Sequence, residues 1–125
     1  NTAYRMVKHA TPGPYTFILR ATSEVPRRLM HAKRKTVGLR VPDNNIALAL
    51  LEDLGEPLMS VSLIMPGEDL PMIDPYEIRD VLEHEVDLVI DGGWCGMEPT
   101  TVVDLAEDTP LVLRVGKGDA APFET

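Results

Sequence analysis

Three short runs of strand-forming residues carry cationic or hydroxyl side chains among apolar ones. They span residues 35–42, 99–104 and 111–116. Arg40 and Arg114 each follow an apolar stretch and precede a Val-Pro or Val-Gly break. A guanidinium near the end of a buried strand costs desolvation free energy unless it meets a carboxylate, a phosphate or water. The pattern leaves two interpretations open: a polar, anion-binding cleft, or an exposed strand face with solvated arginines.

Strand and helix signals alternate along the chain. Strands are predicted at residues 15–21, 36–41, 58–63, 86–90, 100–105 and 111–115. Helical signals occur at residues 2–8, at 25–30, between Asn44 and Gly55, and after the Asp74-Pro75 cap. Because the last two strands are close enough to form a hairpin, the sheet is expected to be mixed. The sequence therefore predicts an α/β fold with a twisted, mixed sheet flanked by helices.

Chain length and composition limit the class of protein. A chain of 125 residues supports one domain with a modest core, so a single domain over residues 1–125 is expected. The one cysteine excludes an internal disulfide and favours a reducing, cytoplasmic setting. No apolar run approaches the roughly 20 residues of a membrane-spanning helix, so no membrane partner is predicted. The histidines at positions 9, 31 and 84 have no metal-ligand spacing, so no metal site is predicted.

Charge is distributed unevenly along the chain. The net charge is −8, yet residues 1–40 carry nine lysines and arginines and one acid, whereas residues 41–125 carry three basic residues and nineteen acids. A dense basic block binds polyanions by releasing counterions. It is equally typical of a solvated helix and turn that balance an acidic surface elsewhere. The overall acidity argues against a protein dedicated to nucleic-acid binding.

Five motifs occur in a fixed order along almost the whole chain. They are Thr11-Pro-Gly-Pro-Tyr-Thr-Phe-Ile-Leu19, Thr36-Val-Gly-Leu-Arg40-Val-Pro42, Pro57-Leu-Met-Ser60-Val-Ser62, Pro99-Thr-Thr-Val-Val-Asp104 and Leu113-Arg-Val-Gly116. With these motifs the chain resembles the YrdC/Sua5 family of threonylcarbamoyl-AMP synthases, and most closely its YciO branch. The resemblance implies a YrdC-like domain with a positively charged concave face.

The chain departs from the family pattern in two regions. Family members begin with a Pro-Thr-Asp-Thr-like strand end and a downstream Lys-x-Arg pair, which are absent here, and the chain starts at Asn1 within a helical pattern. We therefore expect an N-terminally truncated domain. In addition, Ile64 stands where the family's Ser-Thr-Ser-Ala-Asn segment has asparagine. An aliphatic side chain offers no hydrogen bond, so we expect this chain alone not to form the adenylate.

The resemblance implies a reaction and its substrates. L-Threonine, bicarbonate and ATP, the last as its Mg²⁺ complex, would be joined into threonylcarbamoyl-adenylate with release of pyrophosphate, for t6A modification of tRNA. The activity is that of an ATP-dependent nucleotidyltransferase without a bound prosthetic group. A triphosphate requires cations together with hydroxyl or amide donors, and a carboxylate is best held by arginine.

The resemblance also implies site residues, whereas no catalytic residue is assigned. Arg40 and Thr100 would bind L-threonine, and the nucleotide would be bound by Thr36, Ser60, Ser62 and Arg114. Two-residue alternation places Thr36 and Arg40 on one strand face. The residues alone leave alternatives open: Arg40 as a surface arginine beside Asp43, and Arg114 as the structural partner of Asp104 or Asp119.

A second function belongs to a different class. The same fold would act as a non-catalytic module that holds double-stranded RNA or tRNA on its positive face, through phosphate contacts and not base contacts. The candidate RNA-binding residues are Arg27, Arg28, Lys33, Arg34 and Lys35. Of these, Arg34 is expected to lie in a flexible basic run.

Overall fold

The computed structural model describes residues 2–124. These residues form three α-helices and four strands: α1 (Thr2–Ala10), β1 (Tyr15–Arg20), β2 (Thr36–Leu39), α2 (Asn45–Leu54), α3 (Pro75–Leu82), β3 (Thr101–Asp104) and β4 (Leu111–Arg114). Short 3-10 helices lie at Arg27–Leu29 and Ala121–Phe123. No described helix is long and apolar enough to cross a membrane.

The four strands form one sheet in the order β2-β1-β3-β4. β1 pairs antiparallel with β2 and parallel with β3, and β3 pairs antiparallel with β4. The predicted mixed sheet is therefore confirmed, as is the hairpin between the last two strands.

Two predicted strands are wrong. Residues 58–63 and 86–90 form no strand, and neither segment belongs to a β-ladder among residues 2–124. Their apolar side chains are largely exposed, with Val61 92% and Leu88 76% exposed. Strand propensity reflects how well a side chain fits a paired, half-buried surface, so strand-type residues without a paired neighbour do not form a strand.

The chain divides into two compact units. Unit 1 comprises Asn1–Leu48 with Pro99–Thr125, and unit 2 comprises Ala49–Glu98. The single-domain interpretation stays a prediction.

Unit 1 is built around one face of the sheet. Phe17, Val103, Leu105 and Phe123 form its buried cluster. Helix α1 packs on this cluster through Ala3, Met6, Val7 and Ala10. The Phe17 and Phe123 rings meet edge to face with centroids 5.7 Å apart, a favourable aromatic geometry. The helix therefore covers one side of the sheet. The opposite side carries polar residues, among them Thr16, Thr36 and Asp104.

Unit 2 contains α3 and the larger part of α2. Asp74 caps α3 as predicted, because its carboxylate accepts a hydrogen bond from Tyr76 N at 2.9 Å while Pro75 occupies the first turn. The helix buries Pro75 and Leu82. Helix α2 begins in unit 1, where Asn44 Oδ1 accepts from Ala47 N at 3.0 Å, and is followed in unit 2 by Gly55 with φ of +73°.

Candidate functional site

The sheet register separates an apolar face from a polar one. Phe17 pairs with Val103, and both belong to the core beneath α1. Because side chains alternate along a strand, the intervening residues lie on the opposite side. This polar face, as we call it, consists of Thr16 and Ile18 from β1, Thr36 and Gly38 from β2, Val102 and Asp104 from β3, and Arg114 from β4.

Two predicted site residues from different strands are in direct contact. The Arg114 guanidinium donates from Nε and Nη2 to the Thr100 carbonyl oxygen, at 3.0 and 2.8 Å. Nη2 also donates to Thr100 Oγ1 at 3.0 Å. The alternative partners Asp104 and Asp119 are wrong, since Arg114 forms no ion pair within the described residues. Its Nη1 group has no partner among residues 2–124, so an exposed arginine is fixed in orientation with two donors free.

A second hydroxyl, that of Thr16, completes this arrangement. Thr16 Oγ1 lies 2.7 Å from Thr100 Oγ1, and either atom can be the donor. Thr16 lies within the first motif of the chain, but the resemblance assigns it no role. Strand pairing explains why it reaches Thr100, because Thr16 pairs with Val102, two residues further along the same strand face. We call Thr16, Thr100 and Arg114 the threonine–arginine network.

Hydrogen bonds to the segment after β4 hold the backbone next to Thr100 in place. Thr101 is fully buried; its hydroxyl donates to Gly118 O at 2.6 Å and accepts from Gly116 N at 2.9 Å. Lys117 N donates to Pro99 O at 2.8 Å. A Cβ atom at Gly116 would collide with Pro99 O and Thr100 O. The segment after β4 can therefore approach Thr100 this closely only with glycine at position 116.

The residues predicted on β2 occupy different environments. Thr36 is buried and pairs with Arg20 in the sheet register. Arg40 directly follows the strand, is exposed, and forms no ion pair with Asp43 or any other described residue. A backbone hydrogen bond from Gly13 N to Val41 O, at 2.9 Å, keeps the segment after β2 beside the start of β1. Arg40 is thus a free cation on unit 1.

Ser60 and Ser62 belong to unit 2, not to the sheet. Both are exposed and lie in the segment that was predicted as a strand. Without strand geometry, the expectation that their side chains share a strand face no longer holds. Ile64 N donates to Ser62 O at 3.0 Å, which gives the segment a local turn. The nucleotide-binding role of the two serines stays a prediction.

Arg34 is held in place, whereas the sequence predicted a flexible position. Its Nη2 donates to Asp104 Oδ2 at 2.6 Å, and the side chains are 44% and 7% exposed, respectively. The turn that carries it is defined by His31 Nδ1, which accepts from Arg34 N at 3.1 Å. Sequence reasoning missed this pair because 70 residues separate its members; an aspartate at the end of a buried strand was the available signal.

The charge balance at Asp104 favours the ionised carboxylate. Burial alone would raise its pKa, but the hydrogen bonds from Arg34 and Ala106 N, together with the charges of Arg34 and Arg20, outweigh that effect. The net result is a pKa of Asp104 below its usual value, and the pKa of Arg34 is raised by the same hydrogen bond and charge. Arg20, the last residue of β1, donates to Ala106 O at 2.8 Å and to Glu107, both just after β3.

The other candidate RNA-binding residues are exposed. Arg27 and Arg28 lie in the first 3-10 helix, and Lys33 and Lys35 flank Arg34 in the following turn. None of these four forms an ion pair with a described residue. No group of three metal-ligating side chains exists among residues 2–124 either.

Most of the chain matches one protein family. A family model described as "Telomere recombination", which groups Sua5, YciO and YrdC proteins, matches residues 1–116. The chain therefore belongs to the Sua5/YciO/YrdC family.

Individual relatives fall into two groups. An uncharacterized protein of Haemophilus influenzae is 64% identical over 124 residues, and the uncharacterized protein YciO of Escherichia coli is 59% identical over 123, each match covering 98% of this chain. A threonylcarbamoyl-AMP synthase of Bacillus subtilis is 31% identical over 115 residues, 91% of this chain and 33% of the relative. The chain spans 60% of the length of the first two proteins.

Solved structures show the same two groups. The crystal structure of E. coli YciO matches 99% of this chain and 60% of its own, with a TM-score of 0.92 and 59% identity. The crystal structure of Pyrococcus abyssi Sua5 complexed with L-threonine matches 92% of this chain and 34% of its own, with a TM-score of 0.79 and 30% identity. The α/β fold expected from the resemblance is therefore confirmed, whereas the positive charge of a concave face stays a prediction.

Proposed function

We propose that this chain carries the L-threonine-binding part of a protein related to threonylcarbamoyl-AMP synthases, with a role in t6A modification of tRNA. The similarity to a B. subtilis threonylcarbamoyl-AMP synthase and to an L-threonine complex of P. abyssi Sua5 supports this proposal. The observation that carries it is the threonine–arginine network. In this network Arg114 holds Thr100, the predicted L-threonine-binding residue, through three hydrogen bonds.

The residues of unit 1 suit an amino-acid carboxylate. Arg40 supplies a full positive charge with five donors and no competing carboxylate among the described residues. Thr100 supplies a hydroxyl on the polar face. A carboxylate held by a guanidinium and a hydroxyl forms charge-assisted hydrogen bonds, which are about twice as strong as neutral ones.

In the proposed reaction, ATP and bicarbonate are the further substrates. Arg114 and Thr36 would contact the nucleotide from unit 1, and Ser60 and Ser62 from unit 2. Mg²⁺ would enter with ATP as part of the substrate and neutralise phosphate charge, because positioning and electrostatic stabilisation do most of the work in phosphoryl-group chemistry. The family relation to threonylcarbamoyl-AMP synthases supports these assignments.

Calorimetric titration with L-threonine tests the threonine assignment. Arg40→Ala should weaken binding by about 1.5–3 kcal/mol, the usual contribution of a hydrogen bond to a charged group. Arg28→Ala is the matched control, because Arg28 is also an exposed, unpaired arginine but belongs to a 3-10 helix and not to a strand of the polar face. Equal, small effects of the two substitutions would refute the role of Arg40.

A second candidate is the binding of duplex RNA by the basic segment. The observation that favours it is that Arg27, Arg28, Lys33 and Lys35 are all exposed and unpaired within the described chain. Exposed cations without carboxylate partners are available to phosphates.

A further inference from the structure

Thr16 contributes a half-buried hydroxyl that the proposed function does not use. Its Oγ1 lies 2.7 Å from Thr100 Oγ1, within the range of a strong O–H···O hydrogen bond. Thr16 itself is half-buried in β1, whereas Thr100 lies just before β3. The contact therefore links β1, an inner strand of the sheet, to a residue predicted to bind L-threonine.

The direction of this hydrogen bond decides whether the Thr100 hydroxyl can donate to a ligand. A threonine hydroxyl has one proton and two lone pairs. Arg114 Nη2 donates to Thr100 Oγ1 at 3.0 Å and so occupies one lone pair of Thr100. If Thr100 donates its proton to Thr16, the remaining lone pair makes Thr100 an acceptor. If Thr16 donates to Thr100, both lone pairs are occupied, and the proton of Thr100 is free to be donated to a ligand.

An anionic ligand selects the second arrangement. A carboxylate only accepts hydrogen bonds, so a lone pair facing it is repulsive and an O–H facing it is stabilising. We propose that Thr16 is a positioning residue that donates to Thr100 Oγ1 and thereby presents the Thr100 hydroxyl as a donor to the ligand carboxylate. This inference rests on the proposed function for its ligand, but not for its geometry.

The local structure favours a fixed rotamer at Thr16. A Cβ built at Gly38 of β2 would lie 3.6 Å from Thr16 Cγ2, so the methyl group faces the glycine, whereas the hydroxyl faces Thr100. Branching at Cβ makes the threonine side chain stiff about χ1. Valine at this position has the same shape but no hydroxyl, and serine retains the hydroxyl without the methyl group.

The test compares Thr16→Val and Thr16→Ser with the wild-type chain and with Thr22→Val, a control at an exposed threonine. L-Threonine and acetate are titrated as carboxylate ligands, and L-threoninol, which lacks the carboxylate, serves as the reference ligand. Thr16→Val leaves the Thr100 proton free but removes the donor that fixes its direction, so it should weaken both carboxylates about fivefold and should leave L-threoninol unchanged. Thr16→Ser and Thr22→Val should bind as the wild type does.

The outcomes separate this inference from the proposed function. L-Threonine binding that is unchanged in Thr16→Val overturns the role of Thr16 and leaves the proposed function intact. Acetate binding that depends on Thr16, without L-threonine binding, overturns the proposed ligand and supports the inference. Equal losses for all three ligands indicate a purely structural role and overturn the inference, and a wild-type chain that binds no ligand overturns both. Should Thr16→Val not fold, Thr16→Ala is compared with Thr16→Ser in the same way.

Discussion

At the scale of single residues, partners decide which arginines are available to a ligand. Arg34 is engaged by Asp104, and Arg114 is engaged by Thr100 through only part of its guanidinium. Arg40 is exposed and unpaired within residues 2–124. The sequence alone could not rank these residues, because each is an arginine near strand-forming positions. Their partners come from segments distant in sequence.

The Arg34–Asp104 pair predicts a pH dependence of stability. The pKa of Asp104 is lowered in the folded chain, so the pair stabilises the fold above the unfolded-state pKa of about 3.9, and this contribution is lost as the pH falls through the lower folded-state value. Asp104→Asn should lower the free energy of unfolding at pH 7 by about 1–3 kcal/mol and should flatten its decline below about pH 4.

Chemical denaturation at several pH values measures this effect. Glu107→Gln is the control, since it alters an ion pair with Arg20 in which both side chains are exposed, at 71% and 67%. Such surface pairs contribute about 0–1 kcal/mol. A decline below pH 4 that is the same in Asp104→Asn and in the wild type would contradict the assignment.

At the scale of secondary-structure elements, local sequence patterns predicted those elements correctly that are also paired or capped in the structure. The β3–β4 hairpin and the Asp74 cap of α3 follow from short-range patterns, and the structure has both. Residues 58–63 and 86–90 have equally strong strand composition but no ladder in the described chain. Pairing is a property of two segments, so composition of one segment could not decide it.

The same limit applies to the candidate site. Sequence motifs predicted Thr100 and Arg114 as site residues. Their contact, however, depends on the register of β3 with β4. Thr16 belongs to the first motif of the chain, and only the parallel pairing of β1 with β3 reveals its hydrogen bond to Thr100.

The close approach of the segment after β4 predicts a glycine requirement. Gly116→Ala should displace Pro99 and Thr100, because the added Cβ would collide with both carbonyl oxygens. Overpacking of this kind costs about 1–3 kcal/mol of stability. Gly96→Ala is the matched control, since its Cβ would meet nothing within 4 Å and its φ is not positive.

Thermal unfolding and L-threonine titration of both glycine variants check this prediction. Gly116→Ala should lower the melting temperature and weaken L-threonine binding, whereas Gly96→Ala should change neither. A Gly116→Ala chain with wild-type stability and affinity would contradict the proposed role of this segment in holding Thr100.

At the scale of the whole molecule, charge is segregated along the chain. Residues 1–40 are basic and residues 41–125 acidic, so any polyanion should bind the basic segment alone. Duplex RNA binding should therefore weaken steeply with salt and vary little with sequence. Reversing the charges of Arg27, Arg28, Lys33 and Lys35 should abolish it.

A titration of duplex RNA at two salt concentrations measures this dependence. The control reverses Arg79 in unit 2, an exposed arginine in the acidic part of the chain. Binding that is insensitive both to salt and to the four reversals would remove the physical basis of the RNA hypothesis. Arg34 is left unchanged, because its reversal would also break the pair with Asp104.

The most direct measurement of the central claim is a crystal structure of this chain grown with L-threonine. The account predicts that the ligand lies on the polar face of unit 1, with its carboxylate oxygens about 2.7–3.0 Å from Arg40 and from Thr100 Oγ1. The threonine–arginine network should remain intact beneath it. Well-defined L-threonine at another surface, with Arg40 and Thr100 making no contact to it, would contradict the account.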